Sequence, residues 1–191
     1  MAMDLAGPHL LERYYWSRKD SVKKRQDDFR EKIHALRNVD FVTCSGEYQR
    51  HYFLPFLYLA GYEVDENACP VIPFSMDPET PPEYDNERNP NLFVYGGIFL
   101  PWQNPERSIH TLLETFDNEE KGRLKFFGGS HPAGDISGNK FKALSERLEN
   151  HPRVERKGLV PWENLRSEYC SGSTALDLME RNPERELAFN T

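Results

Sequence analysis

From residue 91 onward the chain alternates short apolar runs with longer amphipathic ones, and this alternation restricts its fold more than any other feature. "NLFVY" (91–95) reads as a strand that runs into Gly96-Gly97, then a short apolar and aromatic loop. A helix over about 105–117 follows, opened by Asn104-Pro105-Glu106. "RLKFFGG" (123–129) reads as a second strand, followed by a helix around 139–150 and a strand at 153–157. A short helix at 162–170 and a strand at 173–179 close the series. Strands separated by helices must be joined by crossovers, so the fold class is α/β, a Rossmann-like parallel sheet with flanking helices.

The first part of the chain has a different texture. Leu11, Tyr15, Val22, Phe29, Ile33 and Leu36 recur at helical spacing and predict one long amphipathic helix, interrupted by the basic cluster Lys23-Lys24-Arg25. The residues before it, from Met1 to Met3, read as an arbitrary start. "VDFVTC" (39–44) reads as a buried strand, Ser45 as a helix cap and Glu47 as a first-turn acid. The helix through residue 62 carries Pro55, which predicts a kink or break. "CPVIPFSMD" (69–77) is a further short strand. Residues 78–90, rich in proline and acids, predict a linker between a unit at 1–77 and a unit at 91–191.

Bulk composition excludes several classes. At 191 residues with 38 % hydrophobic and 29 % charged residues, the chain can bury a real core and is globular in character. A formal charge of −7 argues against a general nucleic-acid binder, leaving room for a local basic pocket. Cys44, Cys69 and Cys170 are widely spaced and odd in number. Without a secretory signal at the start they read as reduced thiols of a cytoplasmic protein. The longest apolar run, Tyr52 to Tyr62, falls well short of the roughly 20 residues of a membrane span.

Candidate sites lie where strands end, because backbone amides and helix N-termini converge at the carboxyl edge of an open α/β sheet. Three glycine-bearing ends qualify: Gly96-Gly97, Gly128-Gly129-Ser130-His131, and Lys157-Gly158. A glycine there either turns the chain or lets a phosphate or sugar approach the amides. His131 is either a donor to such a ligand or a plain loop histidine. Cys44 and Arg50 stand in the C-x(5)-R spacing of a phosphatase loop, against which Glu47 would set a carboxylate in an anion site. "GGSHP" lacks the second glycine of a nucleophile elbow, and the six histidines show no metal-ligand spacing.

In their order, these segments resemble GT-B glycosyltransferases of the retaining, glycogen-synthase-like group, over residues 39 to 191. "VDFVTCSGEYQRHYF" and "CPVIPFSMDPETPP" are similar to the end of the acceptor-side Rossmann domain and the lead into its linker. "NLFVYGGIFLPWQNPERSIHTLLETF", "RLKFFGGSHP", "VERKGLVPWENLRSEY" and "STALDLMERNPERELAF" are similar to successive strand–helix pieces of the donor domain. The resemblance implies a partial GT-B fold and a nucleotide-sugar donor as substrate, with no cofactor and no metal. It puts diphosphate on the Gly96-Gly97 loop, Trp102 shaping the cleft, Gly129 and His131 alongside, and nucleobase near Gly158 to Val160. It implies retaining transfer in which stabilising the departing diphosphate is the main electrostatic task.

Two departures from that pattern bear on the site. Gly97 stands where the family has arginine, leaving Arg107 as the candidate cation at the helix start. Of the family's paired acids only the first, Glu184 or Glu186, precedes Thr191. The chain therefore reads as a central fragment, inactive alone, with its catalytic residues unassigned. Its acceptor is an unassigned saccharide, lipid or protein, and the aromatic helix 48–62 leaves room for peripheral membrane association. The competing readings are a non-catalytic Rossmann-like interaction module that docks through residues 10–37, and a cysteine phosphatase using Cys44 and Arg50.

Overall fold

Two separate parallel sheets organise the residues that the computed structural model describes, which are 1–17, 20–74, 89–132, 134 and 136–188. They belong to two units, Met1–Asp77 with Arg181–Thr191, and Pro78–Glu180.

The first unit starts with strand β1 (Ala2–Asp4), followed by helices α1 (His9–Trp16) and α2 (Val22–Leu36), strand β2 (Phe41–Thr43) and helix α3 (Glu47–Ala60). β1 pairs in parallel with β2, from Ala2↔Phe41 to Asp4↔Thr43, so Ala2 and Met3 belong to the sheet rather than preceding the fold. The expected strand at 69–77 is reduced to a parallel bridge of Cys44 with Val71, and residues 75–77 lie outside the described residues. The single helix expected over 10–36 is two. Ser17 closes α1 by donating its amide to the Arg13 carbonyl at 2.8 Å, and Ser21 caps α2, its Oγ accepting from the Lys24 amide at 3.2 Å. Short polar side chains at 17, 20 and 21 compete for the backbone, which hydrophobic spacing alone does not register.

Pro55 neither breaks nor ends α3, which runs unbroken to Gly61, a left-handed cap at φ 97°. Both Pro55 and His51, whose carbonyl the proline cannot satisfy, lie on the exposed face, so the orphaned acceptor is not sealed in the core. The opposite face buries Phe53, Phe56 and Leu57 against Leu36 and Val42. Each such side chain contributes about 1.5–3 kcal/mol on burial.

The second unit holds β3 (Asn89–Ile98), α4 (Glu106–Asn118), β4 (Arg123–Gly129), α5 (Lys142–Asn150), β5 (Val154–Gly158), α6 (Trp162–Ser171) and β6 (Gly172–Leu176). A 3-10 turn over Gly138–Phe141 leads into α5. Its sheet is wholly parallel in the order β5-β4-β3-β6. That order runs outward from the first strand to the third, then returns to place the fourth on the other side, as in a Rossmann sheet. One face packs Tyr95, Phe99 and Phe126 against Ile109, Leu113 and Phe116 of α4 and Leu144 and Leu148 of α5. The other face meets α6, whose Leu165 and Tyr169 lie against Gly96.

Both expected unit boundaries shift. Asn89 and Pro90 belong to β3, and the rest of the expected linker, 78–88, lies outside the described residues. Residues 91–191 do not form one unit, because helix α7 (Pro183–Leu187) packs against α1 and α3 of the first. Glu184 anchors it there, fully buried and held by the guanidinium of its neighbour Arg185 at 2.5 and 2.7 Å. The charge of Glu184 is felt by Glu12 on α1, whose carboxyl is raised by burial first and then by Glu184, with Arg185 opposing.

Two predictions follow from this packing. A side chain on Gly128 would overlap the Gly97 carbonyl oxygen of the adjacent strand, and its φ of 120° adds strain, whereas Gly158 at φ 68° faces open space. Gly128→Ala is expected to destabilise the chain by more than about 3 kcal/mol and Gly158→Ala by only about 1 kcal/mol in urea unfolding. In the first unit, burial and then the Lys32 charge depress His9 from 6.5 to about 4. Between those values the unfolded chain binds the proton and the folded one resists it. This contribution is therefore complete above 6.5 and is lost as pH falls to 4. Allowing for its partial exposure, His9→Asn should flatten the pH dependence of unfolding in that window by about 1–2 kcal/mol.

Candidate functional site

The strand order creates a switch point at the carboxyl ends of β3 and β6, since the chain leaves β3 toward β4 on one side and reaches β6 on the other. Gly96 and Gly97 lie there, inside the strand just before its last residue, Ile98, rather than in a loop after it. β3 keeps its pairing with β4 as far as Ile98↔Gly129, with Gly97 opposite Gly128, while its pairing with β6 stops at Tyr95↔Leu176. On the far side of β4, Phe127 pairs with Gly158. The glycine-bearing ends of three strands thus stand side by side.

These glycines differ in what they do. A Cβ on Gly96 would come within 2.5 Å of Tyr169 Oη and 2.8 Å of Leu165, so its bareness lets α6 close on the sheet. Burial raises the Tyr169 phenol, with the nearby Gly96 backbone opposing and the Asp177 charge adding to the rise. Tyr95 is raised by burial, then by Asp177 and Tyr169. The Asp177 charge is thus felt by both phenols, of which Tyr169 lies over Gly96 and Tyr95 over Gly97. Gly128 is bare for another reason, the close approach of the β3 backbone at Gly97, while Gly97 is bare because the Tyr95 ring lies over it.

The segment after β3 is pinned at several points. Phe99 is buried, stacks on Phe141 at 5.0 Å, and donates its amide to the Gly129 carbonyl at 2.7 Å. Leu100 bridges Gln103 around a turn that includes Trp102, partly exposed, and the Pro101 carbonyl accepts from Lys140 Nζ at 2.9 Å. Asn104 then opens α4, its Oδ1 accepting from the Glu106 amide at 3.1 Å. Its carbonyl accepts from the Glu180 amide at 2.9 Å, which ties the stretch after β6 to the loop. Arg107 lies in the first turn of α4 and is exposed. The His131 carbonyl accepts from the Gly134 amide at 3.0 Å in the turn beyond β4. Val160 follows β5 and is partly exposed, two residues before the exposed Trp162. A polar cleft of about 200 Å³ opens beside this edge, lined by Phe99, Ser130, Ser137, Asn139, Lys142 and Ser145 among others.

Of the residues the sequence singled out, Gly96, Gly97, Trp102, Arg107, Gly129, His131, Gly158 and Val160 all fall at this edge of the second unit. Glu184 and Glu186 do not. They sit on α7 in the first unit, with Glu184 held by Arg185 and Glu186 by Arg181 at 2.9 Å. Sequence reasoning missed Tyr169, Asp177 and Lys140, which no spacing distinguishes from ordinary helix or loop residues.

The phosphatase arrangement is not built. Cys44 is fully buried, its Sγ donating to the Gly46 carbonyl at 3.5 Å. Its neighbour Cys69 is also buried, and burial chiefly pushes that thiol up to about 12. Arg50 is spent on the Asp65 and Glu66 carbonyls, at 3.4 and 2.7 Å, and lies 3.6 Å from Glu47. A nucleophilic thiolate needs both access and a cation aimed at its phosphate, and neither is present.

Neither a protein-family model nor a curated protein sequence matches the chain. Solved structures do. A sucrose-phosphate synthase from Thermosynechococcus elongatus matches with a TM-score of 0.61 at 15 % identity, over 92 % of this chain and 43 % of that one. TarM matches with a TM-score of 0.54 at 14 % identity, over 82 % of this chain and 28 % of that one. The chain has part of a GT-B fold. The pneumococcal O-GlcNAc transferase GtfA, solved in complex with UDP and GlcNAc, matches at 0.50 and 16 % identity, over 69 % of this chain and 24 % of its own. The chain thus spans less than half the length of each of these three structures.

The packing of α6 on Gly96 gives this edge a direct test. Gly96→Ala presses a methyl group against Leu165 and the Tyr169 phenol and should cost about 1–3 kcal/mol in urea unfolding. An unchanged midpoint would show that α6 does not depend on a bare residue at 96.

Proposed function

We propose that this chain is the central segment of a nucleotide-sugar-dependent glycosyltransferase, and that its second unit receives the nucleoside diphosphate of the donor. The observation that carries this reading is the alignment of Gly97 with Gly128, and of Phe127 with Gly158, at the switch point of a Rossmann-ordered sheet. Bare backbone there admits a diphosphate to hydrogen-bond distance of main-chain amides. The match to GtfA, whose structure holds UDP and GlcNAc, supports a nucleotide-sugar as the ligand class.

Each part of the edge has a distinct task. Gly96 is committed to α6, so the diphosphate contacts fall to the backbone from Gly97 onward and to the N-terminus of α4. Arg107, exposed in the first turn of that helix, supplies the cation that the missing family arginine would otherwise provide. Asp177, whose charge is felt by Tyr95 and Tyr169, is a carboxylate better matched to a sugar or ribose hydroxyl than to phosphate. The base lies toward Gly158 and Val160, and Trp102 and His131 border the cleft. Transfer with retention then depends on holding charge on the departing diphosphate rather than on a pair of carboxylates flanking the bond. The acceptor is a hydroxyl-bearing molecule, and its class is left open. No helix among the described residues is long and apolar enough to cross a membrane.

Amide hydrogen exchange of the chain with millimolar UDP, GDP or ADP tests the donor reading. Protection confined to residues 97–102, 128–131 and 158–160 is the expected result, and Arg107→Ala should weaken nucleotide binding about tenfold. Absence of protection with every nucleotide would overturn the reading. An interaction module would instead show protection over 10–37 by a partner and none by nucleotide.

A further inference from the structure

The corner between α1 and α2 carries features that sugar transfer does not use. Tyr14 and Trp16 at the end of α1 and Val22 at the start of α2 are large hydrophobic side chains left 46, 54 and 60 % exposed. Lys23, Lys24 and Arg25 follow directly and are exposed as well.

The neighbouring carboxylates are turned inward. Asp20 and Asp28 keep only 17 and 15 % of their side-chain surface, while Lys24 keeps 52 %. Asp28 is engaged by Arg13 at 2.5 Å, and Asp20 lies 3.6 Å from Lys24. Asp27, more exposed, is taken by Arg30 at 3.0 Å. Arg25 gives one N–H to the Asp20 carbonyl at 3.0 Å and stays at the surface. What faces water is therefore net positive. Residues 10–37 hold nine lysines and arginines against five acids, in a chain whose formal charge is −7.

We propose that this corner docks on an anionic lipid surface, with Trp16, Tyr14 and Val22 entering the headgroup region and Lys23, Lys24 and Arg25 lying against the lipid charges. Aromatic rings with a polar tip favour the boundary between hydrocarbon and water, and adjacent basic side chains add attraction to a negative leaflet. A nucleic acid fits the corner less well. Three apolar side chains stand among its cations, and the acidic remainder of the chain repels an extended polyanion. The surface differs from the aromatic helix 48–62 to which the sequence pointed, and it stands independently of the donor reading.

Vesicle flotation of the chain tests this with phosphatidylcholine alone and with 30 mol% phosphatidylserine (~30 %), compositions that separate headgroup charge from bilayer. Binding to the anionic vesicles should be at least about tenfold stronger, and most of it should be lost between roughly 50 and 300 mM salt. Lys23→Glu with Lys24→Glu should lower it at least about tenfold, and Trp16→Ala about three- to tenfold with charge unchanged. Circular dichroism melts matching the parent chain would show that both variants fold. Equal binding to the two vesicle types, or anionic binding unaltered in both variants, would overturn the proposal. So would tight binding of a short DNA duplex with no vesicle binding.

Discussion

The close approach of β3 and β4 is the constraint on which the second unit depends. With Gly97 opposite Gly128, the Gly97 carbonyl oxygen occupies the place where a side chain on Gly128 would be. This draws the two strand ends together and continues the ladder to the Phe99–Gly129 hydrogen bond. Phe99 is thereby turned into the core against Phe126 and Phe141, which fixes where the segment after β3 departs and where α4 begins. One backbone contact thus positions both the hydrophobic layer and the edge proposed to take the donor.

The glycines at that edge show how a single sequence signal divides among physical roles. Gly96 and Gly97 are adjacent and look equivalent as letters. Because strand residues alternate in direction, one faces α6 and the other faces the side of Tyr95, whose Oη would lie 2.6 Å from a Cβ on Gly97. The first is bare so that a helix can pack, the second so that the Tyr95 ring can lie over it, and the backbone beyond them is what the proposed ligand meets. A glycine pair at a strand end is thus both structural and, at a switch point, a ligand platform.

Much of this was legible beforehand. The alternation after residue 91 gave the parallel sheet, and β4 matches its expected span of 123–129. Eight of the ten candidate site residues gather at one edge because carboxyl ends of parallel strands must lie together. The misses share a cause, which is tertiary contact. β1 is three residues with no apolar run, and only pairing with β2 makes it a strand. Pro55 is tolerated because the His51 carbonyl it leaves without a donor lies on the exposed face. The placement of Glu184 in the first unit rests on its burial beside Arg185 and Glu12, and neither partner is marked by spacing.

The central claim is that a nucleoside diphosphate binds the second unit through bare backbone at the β3–β4 edge. A crystal structure of the chain with UDP tests it most directly. The account predicts diphosphate oxygens within about 3 Å of main-chain nitrogens in the stretch from Gly97 into the first turn of α4, with the base toward Gly158. Well-defined UDP anywhere else on the chain, with that edge occupied only by solvent, would contradict it.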